Sequence, residues 1–152
     1  VFNILVDTRE QQPWDLQSAQ IDKTISHKLD TGDYTIEGFE NILCIERKKS
    51  VAEIAGNLTS QRFERELERM SVYPYAFLIL EFGISDILSY PVGSSIPPSK
   101  WKRIRIRGKY IMSELAKLSI TYDVHVWYCN NTKQAELAAT HIMKQVYYAE
   151  NE

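Results

Sequence analysis

Gly32-Asp33-Tyr34, followed after a short connection by Glu46-Arg47-Lys48, decides how this chain is read. Asp33 to Ile36 and Asn41 to Glu46 are apolar runs joined by Glu37-Gly38-Phe39-Glu40, the pattern of an antiparallel hairpin. Side chains two apart on a strand share a face, so Glu46 and Lys48 point one way and Arg47 the other. With Asp33 on the neighbouring strand, its carboxylate comes near that of Glu46. Carboxylates held together repel, and a divalent cation relieves the repulsion. Hard oxygen donors, with no Cys or His cluster beside them, favour Mg²⁺, with Mn²⁺ as the natural substitute. Such an ion polarises a phosphate and lowers the pKa of water. The ammonium of Lys48 would hold the attacking water or offset charge at phosphorus. A third acid, Asp7, closes an apolar run in Val6-Asp7-Thr8-Arg9-Glu10. Either motif alone would read as a solvated strand end or a simple turn. Their order, with Asp7 upstream, makes Asp7, Asp33 and Glu46 a candidate metal set.

Outward from these motifs, Phe2 to Val6 reads as a buried strand, and Gln11 to Ser18 as a polar loop around Pro13. Ile25, His27 and Leu29 alternate with polar residues and suggest a second strand, ended by the turn Asp30-Thr31-Gly32. Val51 to Asn57 is a short helix, and Ser60 caps a longer one through Met70 with Phe63, Leu67 and Met70 on one face. Tyr75 to Leu80 is continuously apolar, as a central strand covered on both faces should be. Ser89 to Ser99 is rich in Pro, Gly and Ser and reads as a loop. From Ser99 onward, Trp101, Ile104, Gly108, Ile111, Leu115 and Leu118 form a helical seam, although Arg-Ile-Arg-Ile-Arg before Gly108 also alternates like a strand. Val124 to Tyr128 is a further strand. Asn131 with Gln134 makes a capping box for a last helix striped by Ala135, Ala138, Ala139, Ile142 and Val146. The order β-β-β-β-α-α-β-α-β-α implies an α/β fold with a mixed central sheet flanked by helices.

The chain has 152 residues, enough for one domain with a proper core, and the expectation is a single domain over residues 1–152. Hydrophobic residues make up 44%, charged residues 25%, and the net charge is -2, so bulk charge does not point to a polyanion. Cys44 and Cys129 are far apart in apolar runs and read as buried thiols. The longest apolar run, Ala76 to Leu80, is too short to span a bilayer, and no basic-then-apolar leader opens the sequence; a cytoplasmic location is expected.

The motifs Val6-Asp7-Thr8-Arg9-Glu10, Gly32-Asp33-Tyr34 and Glu46-Arg47-Lys48 resemble the signature of XPF-type structure-specific DNA endonucleases. By element order the likeness runs from about residue 2 to residue 130. It implies a restriction-endonuclease-like core that cuts branched DNA such as flaps, forks and junctions with Mg²⁺ or Mn²⁺. It also implies Asp33 and Glu46 as metal ligands, Lys48 as catalytic, and Asp7 as a further carboxylate. Arg47 and Arg9 would orient neighbouring acids or contact phosphate, and Arg62-Phe63 matches the family's Arg-aromatic stretch. The family usually has an Asp four residues after the motif Lys, where this chain has Ala52; Glu53 follows directly. The helix-hairpin-helix domain of eukaryotic and archaeal members is absent from the sequence, which resembles the stand-alone nuclease domains of phages and prokaryotes. The likeness further implies pairing through nuclease cores, for which the stripe of the last helix is a candidate, although that stripe reads equally as pure core.

Lys100, Lys102, Arg103, Arg105, Arg107 and Lys109 crowd beside Trp101 and form a candidate DNA-binding cluster, with Arg9 and Arg62 nearer the acids. Trp101 either stacks on an unpaired base or belongs to the seam. His27, His125 and His141 are scattered and read as surface or structural residues. Glu64, Glu66 and Glu68 alternate with arginines and read as a salt-laced exposed face rather than a second metal site, and Glu81 as lying outside the cleft. No Gly-x-Ser-x-Gly elbow, Cys-His pair or phosphate-binding Gly-x-x-x-x-Gly-Lys loop is present. A DNA-binding scaffold without activity, and a Holliday-junction resolvase or single-strand nuclease on the same core, are the competing functions.

Overall fold

Six strands form one mixed sheet in the order β2-β1-β3-β4-β5-β6 in the computed structural model, which describes Val1–Glu152. The strands are β1 (Phe2–Val6), β2 (Ile21–Ser26), β3 (Tyr34–Ile36), β4 (Leu43–Lys48), β5 (Tyr75–Leu80) and β6 (His125–Tyr128). β3 runs antiparallel to both of its neighbours, β1 and β4, whereas β1–β2, β4–β5 and β5–β6 are parallel pairs. The helices are α1 (Val51–Asn57), α2 (Gln61–Met70), α3 (Ile84–Leu88), α4 (Gly108–Tyr122) and α5 (Thr132–Glu150).

Alternation along the strands divides the core in two. Ile45, Phe77 and Ile79 face α5, which buries Ala135, Ala139, Ile142, Met143 and Val146 against them. Cys44, Leu78 and Leu80 face the other way, towards α1, α2, α3 and α4. Phe63, Leu67 and Met70 fix α2 on that side, and burying each contributes about 1.5–3 kcal/mol. Ser60 caps α2 by accepting from the Arg62 N–H at 3.2 Å.

Three expectations need correction. β2 begins four residues before the run Ile25–Leu29 and ends at Ser26 within it, because parallel pairing with β1 sets Phe2 against Ile21 and Val6 against Ser26. α3 has no forerunner in the sequence reading: five residues are too few to display a helical period. The helix expected from Ser99 begins only at Gly108. Residues Pro98–Arg103 form a 3-10 turn, and from Ile104 to Arg107 the isoleucines pack inward while the arginines are exposed. Gly108 lies so close to the Ile87 carbonyl that any Cβ there would clash, so the α3–α4 contact sets where α4 starts. Of the two readings of the α5 stripe, core is the one observed, so it is not available for pairing. At the α5 N-terminus, Asn131 Oδ1 accepts from the Gln134 N–H at 2.8 Å; Gln134 reaches back to the Asn130 N–H rather than to that of Asn131.

Cys44 and Cys129 are free, buried thiols, and burial pushes Cys44 up to about 12. No helix is long and apolar enough to cross a membrane.

Candidate functional site

The backbone ladder carries three acids together at one end of the sheet. Beyond the last β1–β3 pair, the Asp7 N–H donates to the Asp33 carbonyl at 2.8 Å, and the Asp33 N–H donates to the Ile45 carbonyl at 2.8 Å. Gly32 makes this approach feasible. Its φ is +82°, and a Cβ there would stand 2.6 Å from Cys44 Sγ and 3.1 Å from the Ile45 carbonyl oxygen. Asp33 Oδ2 then accepts from the Arg47 N–H at 2.8 Å, which fixes its carboxylate beside β4.

Asp7, Asp33 and Glu46 line one open pocket of about 260 Å³ that contains no hydrophobic residue. Its carboxylates are Asp7, Glu10, Asp30, Asp33, Glu46 and Glu66; against them stand Arg9, Arg62 and Arg69. The surplus of negative charge is what a cation site presents, and the three arginines can engage the phosphates of a polyanion at its rim. No three His, Cys, Asp or Glu side chains are yet grouped tightly enough to hold one ion. Mutual repulsion opposes closer approach while the charge is uncompensated.

The acids differ. Asp7 is already engaged: Oδ1 accepts from the Leu29 N–H at 2.9 Å, and Oδ2 from the Arg9 N–H at 3.3 Å and Arg9 Nε at 2.7 Å. Burial raises its pKa, but these hydrogen bonds outweigh burial and hold it below the ordinary carboxylate value. Asp33 goes the other way. Burial raises it, the charge of Asp7 adds to that, and the Arg47 N–H and Lys48 only partly oppose. Glu46 is buried at 6% exposure on the α2 side of β4. Lys48, two residues on, is also buried, with Nζ 5.0 Å from the centroid of the Phe63 ring. Burial lowers its pKa, and Arg62 lowers it further, against the opposing pull of Glu53 and Asp33.

Arg47 belongs to the opposite face and to a different task. Its Nε donates to Glu81 Oε2 at 2.6 Å, and Nη1 donates to Glu10 Oε2 at 2.9 Å and to the Gln12 carbonyl at 2.7 Å. Trp14 lies against the guanidinium at 5.0 Å and donates from Nε1 to Glu81 Oε2 at 2.6 Å. Tyr34 donates to Glu10 Oε2 at 3.0 Å, and Thr132 to Glu81 Oε1 at 3.0 Å. With 4% of its side chain exposed, Arg47 orients acids and has no access to a phosphate. Its only link to Asp33 is through its backbone.

Glu53 caps α1, accepting from the Lys49 N–H at 2.8 Å, and does not line the pocket. Lys100, Lys102, Arg103, Arg105, Arg107 and Lys109 are exposed, and none reaches the pocket. Ile96, Ile104 and Ile106 anchor that segment to the α2 side of the sheet. Trp101 is half-buried and donates from Nε1 to the Ile96 carbonyl at 2.9 Å. The three histidines are exposed.

Four charged pocket residues, Glu10, Asp30, Glu66 and Arg69, were given no role at the site by the sequence reading. Glu64, Glu66 and Glu68 alternate like a strand face, but on a helix residues two apart lie about 200° from each other. Glu64 and Glu68 share the exposed side, while Glu66 falls with Arg62 and Arg69 beside the buried Phe63-Leu67-Met70 stripe. The period of 3.6 residues was the available signal for Glu66 and Arg69.

A mixed sheet between two helical layers, with Gly-Asp and Glu-Arg-Lys brought together at one end of its central strands, defines a restriction-endonuclease-like fold. The chain belongs to the ERCC4 domain family, which matches residues 6–139. It is similar in structure to XPF from Aeropyrum pernix, with a TM-score of 0.70 and 22% identity over 95% of this chain and 61% of that one. A second structure, XPF from Aeropyrum pernix in complex with DNA, gives a TM-score of 0.70 and 21% identity over 98% of this chain and 66% of that one. The chain therefore spans less than two thirds of the length of either structure. No curated protein matches the chain in sequence. Family and fold together make this an ERCC4 domain with the architecture of the XPF structures.

Proposed function

We propose that the chain is a divalent-metal-dependent endonuclease that hydrolyses phosphodiester bonds in DNA carrying flaps, forks or junctions. The observation that carries this reading is the convergence of Asp7, Asp33 and Glu46, from three strands or strand ends, on one polar pocket beside the buried Lys48. The donor set is all oxygen, which suits Mg²⁺ or Mn²⁺. One buried carboxylate oxygen in the same wall, Glu66 Oε1, has no hydrogen-bond partner, as expected of a place shaped for a cation.

Asp33 and Glu46 would hold the metal, with Asp7 as the third carboxylate of the pocket. The ion supplies Lewis acidity, polarising a phosphate oxygen and acidifying water. The chain's own groups supply position. Asp33 is steadied by the Arg47 N–H, so its free oxygen keeps a fixed direction. Lys48, held against Phe63 in the field of Asp33 and Glu53, is placed to orient the attacking water or to offset charge developing at phosphorus. Arg9, Arg62 and Arg69 would receive the phosphates that flank the cut. The exposed Lys100–Lys109 segment would extend the contact along the backbone. If the chain pairs with a copy of itself, the α5 stripe is excluded. The outer strand β6, with Trp127 exposed at 44%, is the better surface.

A DNA-binding scaffold without activity is the competing reading, favoured by the engagement of both Asp7 oxygens. Labelled flap, four-way junction and linear duplex, each incubated with Mg²⁺ and with EDTA, separate the possibilities. The proposal expects cutting of branched substrates with Mg²⁺ alone. No cutting in either condition supports the scaffold, and a preference for the four-way junction supports a resolvase.

A further inference from the structure

The chain's ion pairs are Arg9–Asp7, Arg47–Glu10 and Arg47–Glu81. Glu66 has none, although Arg62 and Arg69 flank it on α2 by one helical turn on either side. It lines the acidic pocket, and its Oε1 is one of two buried side-chain polar atoms without a partner. The other, Asn57 Oδ1, belongs to a neutral amide at the end of α1. An unpartnered carboxylate oxygen close to Asp33 is unfavourable in the free protein, because it lacks a donor and the charges of Arg69 and Arg9 only partly offset burial and the like charge of Asp33. A water would satisfy the hydrogen bond but leave the charge. A divalent cation satisfies both.

Asp7 is the reverse case. Donors from Leu29 and Arg9 occupy both its oxygens and fix the turn after β1. Three donors and the Arg9 charge leave Asp7 with less acceptor capacity and less unbalanced charge to offer an ion than Glu66 has.

We propose that Glu66 is a ligand of the cation site, taking beside Asp33 and Glu46 the place that its hydrogen bonds keep Asp7 from filling. This rests on the reading of the pocket as a metal centre. Asp7 then acts as a positioning residue for Leu29 and Arg9, and α2 joins the strand ends in holding the ion. Arg62 and Arg69, on the same stripe of α2, would bring phosphates towards it.

Calorimetric titration of the full chain with Mn²⁺ tests this, using wild type, Glu66→Gln, Glu66→Asp, Asp7→Asn and Asp33→Asn. Wild type should bind. Glu66→Gln should weaken binding by about tenfold or more, Glu66→Asp should fall between, and Asp7→Asn should lose less than Glu66→Gln. Asp33→Asn should abolish binding. Excess Mn²⁺ should restore cleavage of a flap substrate by Glu66→Gln but not by Asp33→Asn. Far-UV circular dichroism in EDTA controls for folding, and Glu66→Asp carries the comparison if Glu66→Gln does not fold. Unchanged Mn²⁺ affinity in Glu66→Gln, with binding lost in Asp33→Asn, overturns the role of Glu66 and leaves the metal centre standing. A wild type that binds no Mn²⁺, with or without DNA, overturns both.

Discussion

The two faces of β4 differ more than any other pair of surfaces in this protein. On the α5 side, Arg47 sits in a closed network with Glu81, Glu10, Trp14 and Tyr34, in which every charge has a partner. On the α2 side, Glu46 opens onto a pocket whose acids outnumber its arginines and whose Glu66 has an unpartnered oxygen, with Lys48 buried beside it against Phe63. One triplet thus serves two ends. Arg47 holds the strand ends together, while its two neighbours stay available for something that binds. A polar group that is fully satisfied contributes to stability, and one left unsatisfied stores a preference for a ligand.

Removing a group from the open face should abolish activity and keep the fold. Asp33→Asn is expected to reduce cleavage by about a thousandfold or more, with DNA binding retained or tighter because repelling charge is lost. Cleavage rates and filter binding on one flap substrate check this, and retained cutting would refute the role of Asp33. Removing a group from the closed face should do the opposite. Arg47→Ala leaves Glu10 and Glu81 buried without their counter-charge, and urea melts should show a loss of about 3–5 kcal/mol. A loss below about 1 kcal/mol would mean that the network contributes little to stability.

Acidity separates the faces further. Burial and the charge of Asp33 push Glu66 up to about 7, from its ordinary value of 4.5. The folded chain therefore holds an extra proton between those values, and the metal-free protein should lose stability as pH rises through that window. Glu66→Gln should remove the slope, being about 2 kcal/mol more stable than wild type at pH 8 in EDTA and no different at pH 4. Melts at the two pH values decide it. The smallest effect is expected farthest from β4. Replacing Arg103, Arg105 and Arg107 together with Ala should lower the slope of log affinity against log salt by roughly 0.9 per lost phosphate contact. An unchanged slope would remove that segment from the DNA-binding surface.

The contrast between the faces was partly legible in the sequence. β5 and α2 were readable to the residue, because a continuous apolar run and a capped stripe are local signals. The opposed directions of Arg47 and Lys48 followed from strand period alone. What closes the Arg47 face was not legible, since Glu10, Trp14, Glu81 and Thr132 lie far apart in the chain and meet only through sheet order. The displacement of β2 has the same cause: its register is set by a partner strand, not by its own alternation. The late start of α4 reflects the contact of Gly108 with α3, a constraint no local period records. Glu66 is different. Its helical phase pointed inward from the start, and only the even spacing of the three glutamates concealed it.

Crystals soaked in Mn²⁺ and measured at a wavelength where manganese scatters anomalously would address the central claim directly. An anomalous peak about 2.1 Å from oxygens of both Asp33 and Glu46, with Glu66 turned towards it, is the predicted result. Saturating Mn²⁺ that leaves those carboxylates solvated, or an ion seated elsewhere on the molecule, would contradict it.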